Sequence, residues 1–163
     1  MAQTDYKKLH AAVSDAGTTL KELHRELVEL TKGHYEKKFG RVNSPGELLR
    51  LLLNAPEFAW LHAMSELMVD IDELLVHPEI SPLDAAAVRS EISKLVAPPE
   101  LDASDFYRKY KDALQSPEVA VSHGKLRKVL AELPEPEPED IAEVMRARHK
   151  WAEKNRQRSR RVQ

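Results

Sequence analysis

A heptad-like repeat of apolar residues near the start of the chain constrains the fold more than any other feature. Apolar side chains recur there at alternating steps of three and four residues. The repeat consists of Tyr6, Leu9, Val13, Ala16, Leu20, Leu23, Leu27 and Leu30. Such spacing is typical of a helix that packs along its whole length in a bundle or coiled coil. We therefore expect a first helix from Thr4 into the His34–Lys38 region, whose apolar face closes either inside the chain or in a homodimer.

The amino-acid composition favours helix along the rest of the chain. The 163 residues include 21 leucines and 18 alanines but only four isoleucines and four threonines. Unbranched side chains lose little rotamer freedom in a helix, so this ratio favours helix over strand. No segment alternates polar and apolar residues for long enough to indicate a strand. The predicted fold class is all-α, an antiparallel helical bundle with a long first helix.

Serine–proline pairs mark the beginnings of three further helices. Ser44, Ser81 and Ser116 each precede a proline. The serine can accept a hydrogen bond from a free backbone N–H, and proline at the first helical position sacrifices no hydrogen bond. With a further start at Pro56, the predicted helices cover residues 45–53, 56–76, 82–96 and 117–133. Asp102 and Ser104 compete as the cap of one more helix.

Charge and proline content divide the chain into three parts. Alternating proline and glutamate over residues 134–140 predict an extended linker between a helical bundle domain, residues 1–133, and a basic helical arm, residues 141–163. Between Arg146 and Arg161 lie eight basic residues and one acidic residue, a net charge of +7. The whole chain carries −2, so the remainder has 17 basic and 26 acidic residues, a net charge of −9. An acidic bundle is thus joined to a basic arm.

The basic helical arm predicts binding to an acidic partner. Four of its basic residues follow one another at steps of four and therefore share a helix face. Such a ridge can follow a line of phosphates, and a tryptophan beside it can stack on a base. The predicted binding residues are Arg146, Lys150, Trp151, Lys154, Arg158, Arg160 and Arg161.

The function predicted from this pattern is that of a non-enzymatic interaction or adaptor protein. Its partner is an acidic macromolecule, and the arginine content favours nucleic acid or a ribonucleoprotein over an acidic protein surface. The pattern leaves open whether the arm projects freely or docks on the acidic bundle.

The segment between the first two helices mixes aromatic residues, glycines and basic residues. One interpretation is that Tyr35 and Phe39 only plug the end of the bundle. The other is a mouth that binds a ligand or partner. The residues predicted for this mouth are His34, Tyr35, Arg41 and Trp60.

One short motif resembles part of a known magnesium site. Glu26-Leu27-Val28-Glu29 resembles the Glu-x-x-Glu half of the motif in helical-bundle nucleotide pyrophosphohydrolases, whereas the Glu-x-x-Asp half is absent from the third helix. The resemblance implies an alternative function: a bundle that binds a metal or small ligand, with Mg²⁺ serving phosphate-ester or nucleotide hydrolysis. The candidate ligands are Glu26, Glu29, Asp70 and Glu73. The favoured prediction includes no metal, cofactor or catalytic residue.

Several classes of protein are excluded or disfavoured. The chain has no cysteine, so disulfides, thiolate metal sites and thiol catalysis are excluded. Glycine-rich phosphate loops and serine-hydrolase elbows are absent. No apolar run approaches the roughly 20 residues that span a bilayer, and the beginning of the sequence lacks the apolar stretch of a secretory signal. We expect a cytoplasmic protein with no membrane partner.

Overall fold

The structure, a computed structural model, describes residues 3–98 and 104–162. Seven α-helices in these ranges pack around one apolar core. No strand occurs within these ranges. The helices are α1 (Gln3–Phe39), α2 (Pro45–Asn54), α3 (His62–Leu75), α4 (Pro82–Val96), α5 (Asp105–Ala113), α6 (Pro117–Leu130) and α7 (Ile141–Val162). The prediction of an all-α bundle with a long first helix is confirmed.

Helix α1 lies at the centre of the bundle. Its heptad positions are completely buried from Val13 to Leu27, where Val13, Ala16, Leu20, Leu23 and Leu27 are each 0% exposed. The helix packs against α3, α4 and α6, so its apolar face closes inside the chain. Further along, Thr31 is also buried, and its hydroxyl donates to the carbonyl of Leu27 at 2.7 Å.

Serine caps begin three of the helices. The hydroxyls of Ser44, Ser81 and Ser104 each accept the backbone N–H three residues further on, at 3.1, 3.1 and 3.3 Å. Ser104 therefore caps α5, while the competing candidate Asp102 lies outside the described residues. Ser116 differs, because its hydroxyl donates to the carboxylate of Glu118 at 2.9 Å and makes no capping hydrogen bond.

The predicted helix over residues 56–76 divides into two segments. Pro56–Leu61 forms a 3₁₀ helix, and α3 continues from His62. In a 3₁₀ helix, residues three apart lie on one side. That geometry turns Phe58 and Leu61 into the core together, where they are 0% and 1% exposed.

The proline–glutamate linker follows the surface of α4. Arg89 on α4 donates to the carbonyl of Leu133 at 2.5 Å and to the carboxylate of Glu135 at 2.9 Å. A short 3₁₀ turn, Pro138–Asp140, then leads into α7. None of the helices in the described ranges is long and apolar enough to cross a membrane.

Candidate functional site

Helix α7 contains all seven residues that were predicted to bind an acidic partner, and it lies against α3 and α4. Its inner face is apolar, with Val144, Ala147 and Trp151 buried in the main core. The sequence left open whether the basic helix projects freely or docks on the acidic bundle. In the structure it is docked.

A polar cluster on the inner face fixes this docking. Arg148 forms an ion pair with the buried carboxylate of Asp70 on α3, and its Nε lies 3.8 Å from a carboxylate oxygen of Glu91 on α4. The amide of Asn155 donates to Asp70 at 3.3 Å. Burial lowers the pKa of Arg148, while the nearby charge of Glu66 acts in the opposite direction. Arginine nevertheless stays protonated in proteins, so the ion pair persists.

Trp151 belongs to the core and not to an exposed binding surface. The side chain is 4% exposed, and its indole N–H donates to the carboxylate of Asp84 at 3.3 Å. A buried ring cannot stack on a base. The ring of Trp151 is therefore not available for the predicted contact with a base, because packing against the bundle covers the face that stacking would need.

The rest of the α7 surface is exposed and basic, and its residues Lys150 and Lys154 also line a small cleft with Glu73 and Asp84. We call this surface the outer basic face, and it consists of Arg146, Lys150, Lys154, Arg156 and Arg160. Within the described part of the chain, Arg146 is its single member that meets a carboxylate, that of Glu143 at 4.0 Å on the same helix. The side chains of Arg158 and Arg161, also predicted to bind, lie outside the described residues.

A second candidate surface is a groove of about 560 Å³ between α1, the 3₁₀ segment and α5. Three of the four residues predicted for a ligand mouth, His34, Tyr35 and Trp60, line it together. Arg41 does not line the groove and is exposed beyond the end of α1. Sequence reasoning missed the opposite wall, which consists of Lys109, Asp112, Ala113, Gln115 and Ser116.

Aromatic rings support the groove from behind. Trp60 packs against Phe106 with ring centroids 5.4 Å apart, and Tyr35 packs against Phe58 at 5.8 Å. Tyr35 is half-buried and does help to close the bundle end, whereas Phe39 remains 60% exposed. The plug interpretation therefore fits Tyr35 and does not fit Phe39.

Two surfaces thus carry exposed charged or polar side chains: the outer basic face of α7 and the groove beside His34.

No protein-family model, curated protein or solved structure matches this chain.

The predicted magnesium ligands do not meet as a metal site. Across residues 3–98 and 104–162, no group of three or more histidine, aspartate or glutamate side chains is placed to hold a metal ion. Glu26 and Glu29 lie on α1, while Asp70 on α3 is engaged by Arg148. Glu26, Glu29, Asp70 and Glu73 therefore do not form the predicted magnesium site, because Asp70 forms an ion pair with Arg148.

Two partly buried histidines make polar contacts inside the bundle. His24 lies 2.9 Å from the hydroxyl of Ser65, and burial lowers the pKa of its imidazole. His123 Nδ1 lies 2.6 Å from the hydroxyl of Tyr110, and burial together with the charge of Arg127 lowers the pKa of His123. Burial raises the pKa of Tyr110, so its hydroxyl keeps its proton. Both histidines make contacts within the bundle, and their partial burial favours the uncharged form of the ring.

Proposed function

We propose that this protein is a non-enzymatic interaction module that binds nucleic acid through its phosphates, using the outer basic face of α7. The supporting observation is the division of charge on that helix. Arg148 is neutralised by Asp70 on the inner side, whereas Lys150, Lys154 and Arg156 have no ion pair with a described carboxylate. The helix thus keeps its position through one set of charges and presents another set to solvent.

The spacing of the exposed charges suits a polyanion. Arg146, Lys150 and Lys154 follow one another at steps of four residues, which corresponds to about 6 Å along a helix. Packing against α3 and α4 holds this row on a rigid support. A rigid row of cations is complementary to a partner whose negative charges repeat at regular intervals. Arginine adds a planar fork that can hold one phosphate with two hydrogen bonds.

The proposed binding depends on phosphates and is tolerant of base sequence. Phosphate contacts position a protein on nucleic acid without reading its sequence. With Trp151 buried, the tryptophan that the sequence offered for stacking on bases is not available. If its five side chains each neutralise one phosphate, the logarithm of the binding constant should fall with the logarithm of salt concentration at a slope of about −4.

A charge-neutralised variant tests this function better than a truncation. Deleting α7 would uncover the core around Val144 and Trp151 and would confuse unfolding with lost binding. The test variant combines Arg146→Gln, Lys150→Gln, Lys154→Gln and Arg156→Gln. The matched control removes the same charge from exposed sites elsewhere with Lys7→Gln, Arg25→Gln, Arg50→Gln and Lys125→Gln.

Binding is measured by fluorescence anisotropy with a labelled single-stranded RNA and a labelled DNA duplex at several salt concentrations. We expect the outer-face variant to lose more than about tenfold in affinity and to lower the salt slope by roughly one for each lost contact. The control should stay within about twofold of the wild type. Equal losses in both variants, or no binding by the wild type at low salt, would contradict the proposal. Tighter binding to polyglutamate than to RNA would reassign the partner to an acidic protein.

A further inference from the structure

The groove beside His34 has the size of a small-molecule site. Its volume of about 560 Å³ falls within the range of roughly 300–1,000 Å³ typical of ligand pockets. Helix α1 supplies one wall, through Leu30 and Tyr35. The 3₁₀ segment contributes Trp60, and the end of α5 contributes Ala113. Elements distant in sequence therefore converge on one concave apolar surface.

The aromatic part of this wall is preorganised. Trp60 packs against Phe106, and Phe106 stacks on Tyr110 with centroids 5.6 Å apart and ring planes inclined by 16°. Tyr110 is itself completely buried and held by its contact with His123. A ring that is already fixed loses little conformational freedom when a ligand packs on it. Trp60 can therefore provide a platform for a flat apolar group.

The edge of the groove carries charges of both signs. Lys38 and Lys109 supply two cations, and Glu57 and Asp112 supply two carboxylates. None of these four side chains forms an ion pair or hydrogen bond with another described residue. A ligand with one sign of charge would be attracted by two of them and repelled by two. A ligand that carries charges of both signs can interact favourably with both pairs.

We infer that this groove is a binding site for an aromatic zwitterion, such as a free aromatic amino acid. In such a complex Trp60 and Tyr35 would contact the flat ring, Lys38 and Lys109 would attract the carboxylate, and Glu57 and Asp112 would attract the ammonium group. This inference does not depend on the proposed function of α7, since no residue of the outer basic face lines the groove.

Four related indoles test the inference with the full-length protein by isothermal titration calorimetry. L-Tryptophan carries both charges, tryptamine the positive charge, indole-3-acetate the negative charge, and indole neither. We expect L-tryptophan to bind at least about tenfold more tightly than each of the other three. Binding of indole or of either singly charged compound as tightly as L-tryptophan would overturn the charge assignment. Absence of binding by all four at millimolar concentration would overturn the site.

Two substitutions on α5 place the charges. Lys109→Met should weaken binding of L-tryptophan and leave tryptamine binding no weaker. Asp112→Asn should weaken L-tryptophan and leave indole-3-acetate binding no weaker. Lys111→Met is the matched control, because Lys111 is exposed on the same helix but does not line the groove. Equal effects of Lys109→Met and Lys111→Met on L-tryptophan would overturn the proposed location.

Discussion

Arg148 in the last helix and Asp70 in α3 form an ion pair that links positions 78 residues apart in the chain. Asp70 is 4% exposed and, with Thr31, is one of two buried polar residues in the described ranges. A buried carboxylate is costly unless a partner compensates its charge. Together with the buried apolar side chains of Val144 and Trp151, the pair therefore favours the orientation of α7 that leaves the outer basic face in solvent.

Removing the arginine of this pair should destabilise the fold strongly. Arg148→Met leaves Asp70 buried without its cation, and we expect a loss of about 3 kcal/mol in the free energy of unfolding. Adding Asp70→Leu to Arg148→Met should restore much of this loss, since no isolated charge then remains. Urea denaturation measures both effects.

A surface ion pair provides the control for this measurement. Lys21 lies 2.8 Å from Asp72, but their side chains are 47% and 50% exposed. Solvent screening limits such pairs to about 1 kcal/mol or less, so Lys21→Met should change stability little. If Arg148→Met proved no more destabilising than Lys21→Met, the ion pair with Asp70 would not be what holds α7 in place.

Substitutions of Trp151 should separate its packing from any role in binding. Trp151→Ala should cost about 3–5 kcal/mol, because a large buried side chain is lost from the core. Trp151→Phe should cost less, since mainly the hydrogen bond to Asp84 is removed. We also expect Trp151→Phe to bind RNA as tightly as the wild type does in anisotropy titrations. Weaker RNA binding by a stably folded Trp151→Phe protein would indicate that the ring leaves the core when RNA binds.

Local signals in the sequence predicted helices well but did not predict every contact at their ends. Ser44, Ser81 and Ser116 all precede proline, and all three mark observed helix starts. The hydroxyl of Ser116 nevertheless turns to Glu118, an alternative that the pair itself does not encode. The helix start at Pro56 was predicted, but its 3₁₀ geometry was not, because the periodicity of a longer helix masked a short change of pitch.

Contacts between distant parts of the chain were the main source of error. The heptad repeat predicted which side of α1 is buried but not that α3, α4 and α6 would cover it. His34, Tyr35 and Trp60 were correctly grouped, whereas Lys109 and Asp112 join them only through the packing of α5. The periodicity of a sequence shows which face of a helix is apolar, but it does not show which neighbouring helix that face contacts.

Stability should decrease as the pH falls through the titration range of histidine. The pKa values of His24 and His123 lie below their ordinary value of 6.5 in the folded protein because both rings are partly buried. The unfolded chain therefore binds more protons in this range, so the free energy of unfolding should be higher at pH 8 than at pH 5.5. Denaturant titrations at several pH values measure the slope.

Replacing both partly buried histidines should flatten this pH dependence. The test variant combines His24→Gln and His123→Gln, which retain polar groups near Ser65 and Tyr110. The control combines His77→Gln and His149→Gln at exposed positions. A control that flattens the profile as much as the test variant does would show that burial of His24 and His123 is not the cause.

Two of the three serine–proline starts, those at Ser81 and Ser116, should differ in their contribution to stability. Ser81→Ala removes a hydroxyl that accepts the N–H of Asp84 at 3.1 Å, so we expect a loss of about 1 kcal/mol in the free energy of unfolding. Ser116→Ala removes a hydroxyl that makes no capping bond and contacts Glu118 on the exposed surface, so its cost should be clearly smaller. Thermal and urea denaturation of the two variants compare these costs directly. Equal losses would mean that the hydroxyl of Ser116 caps α6 in solution after all.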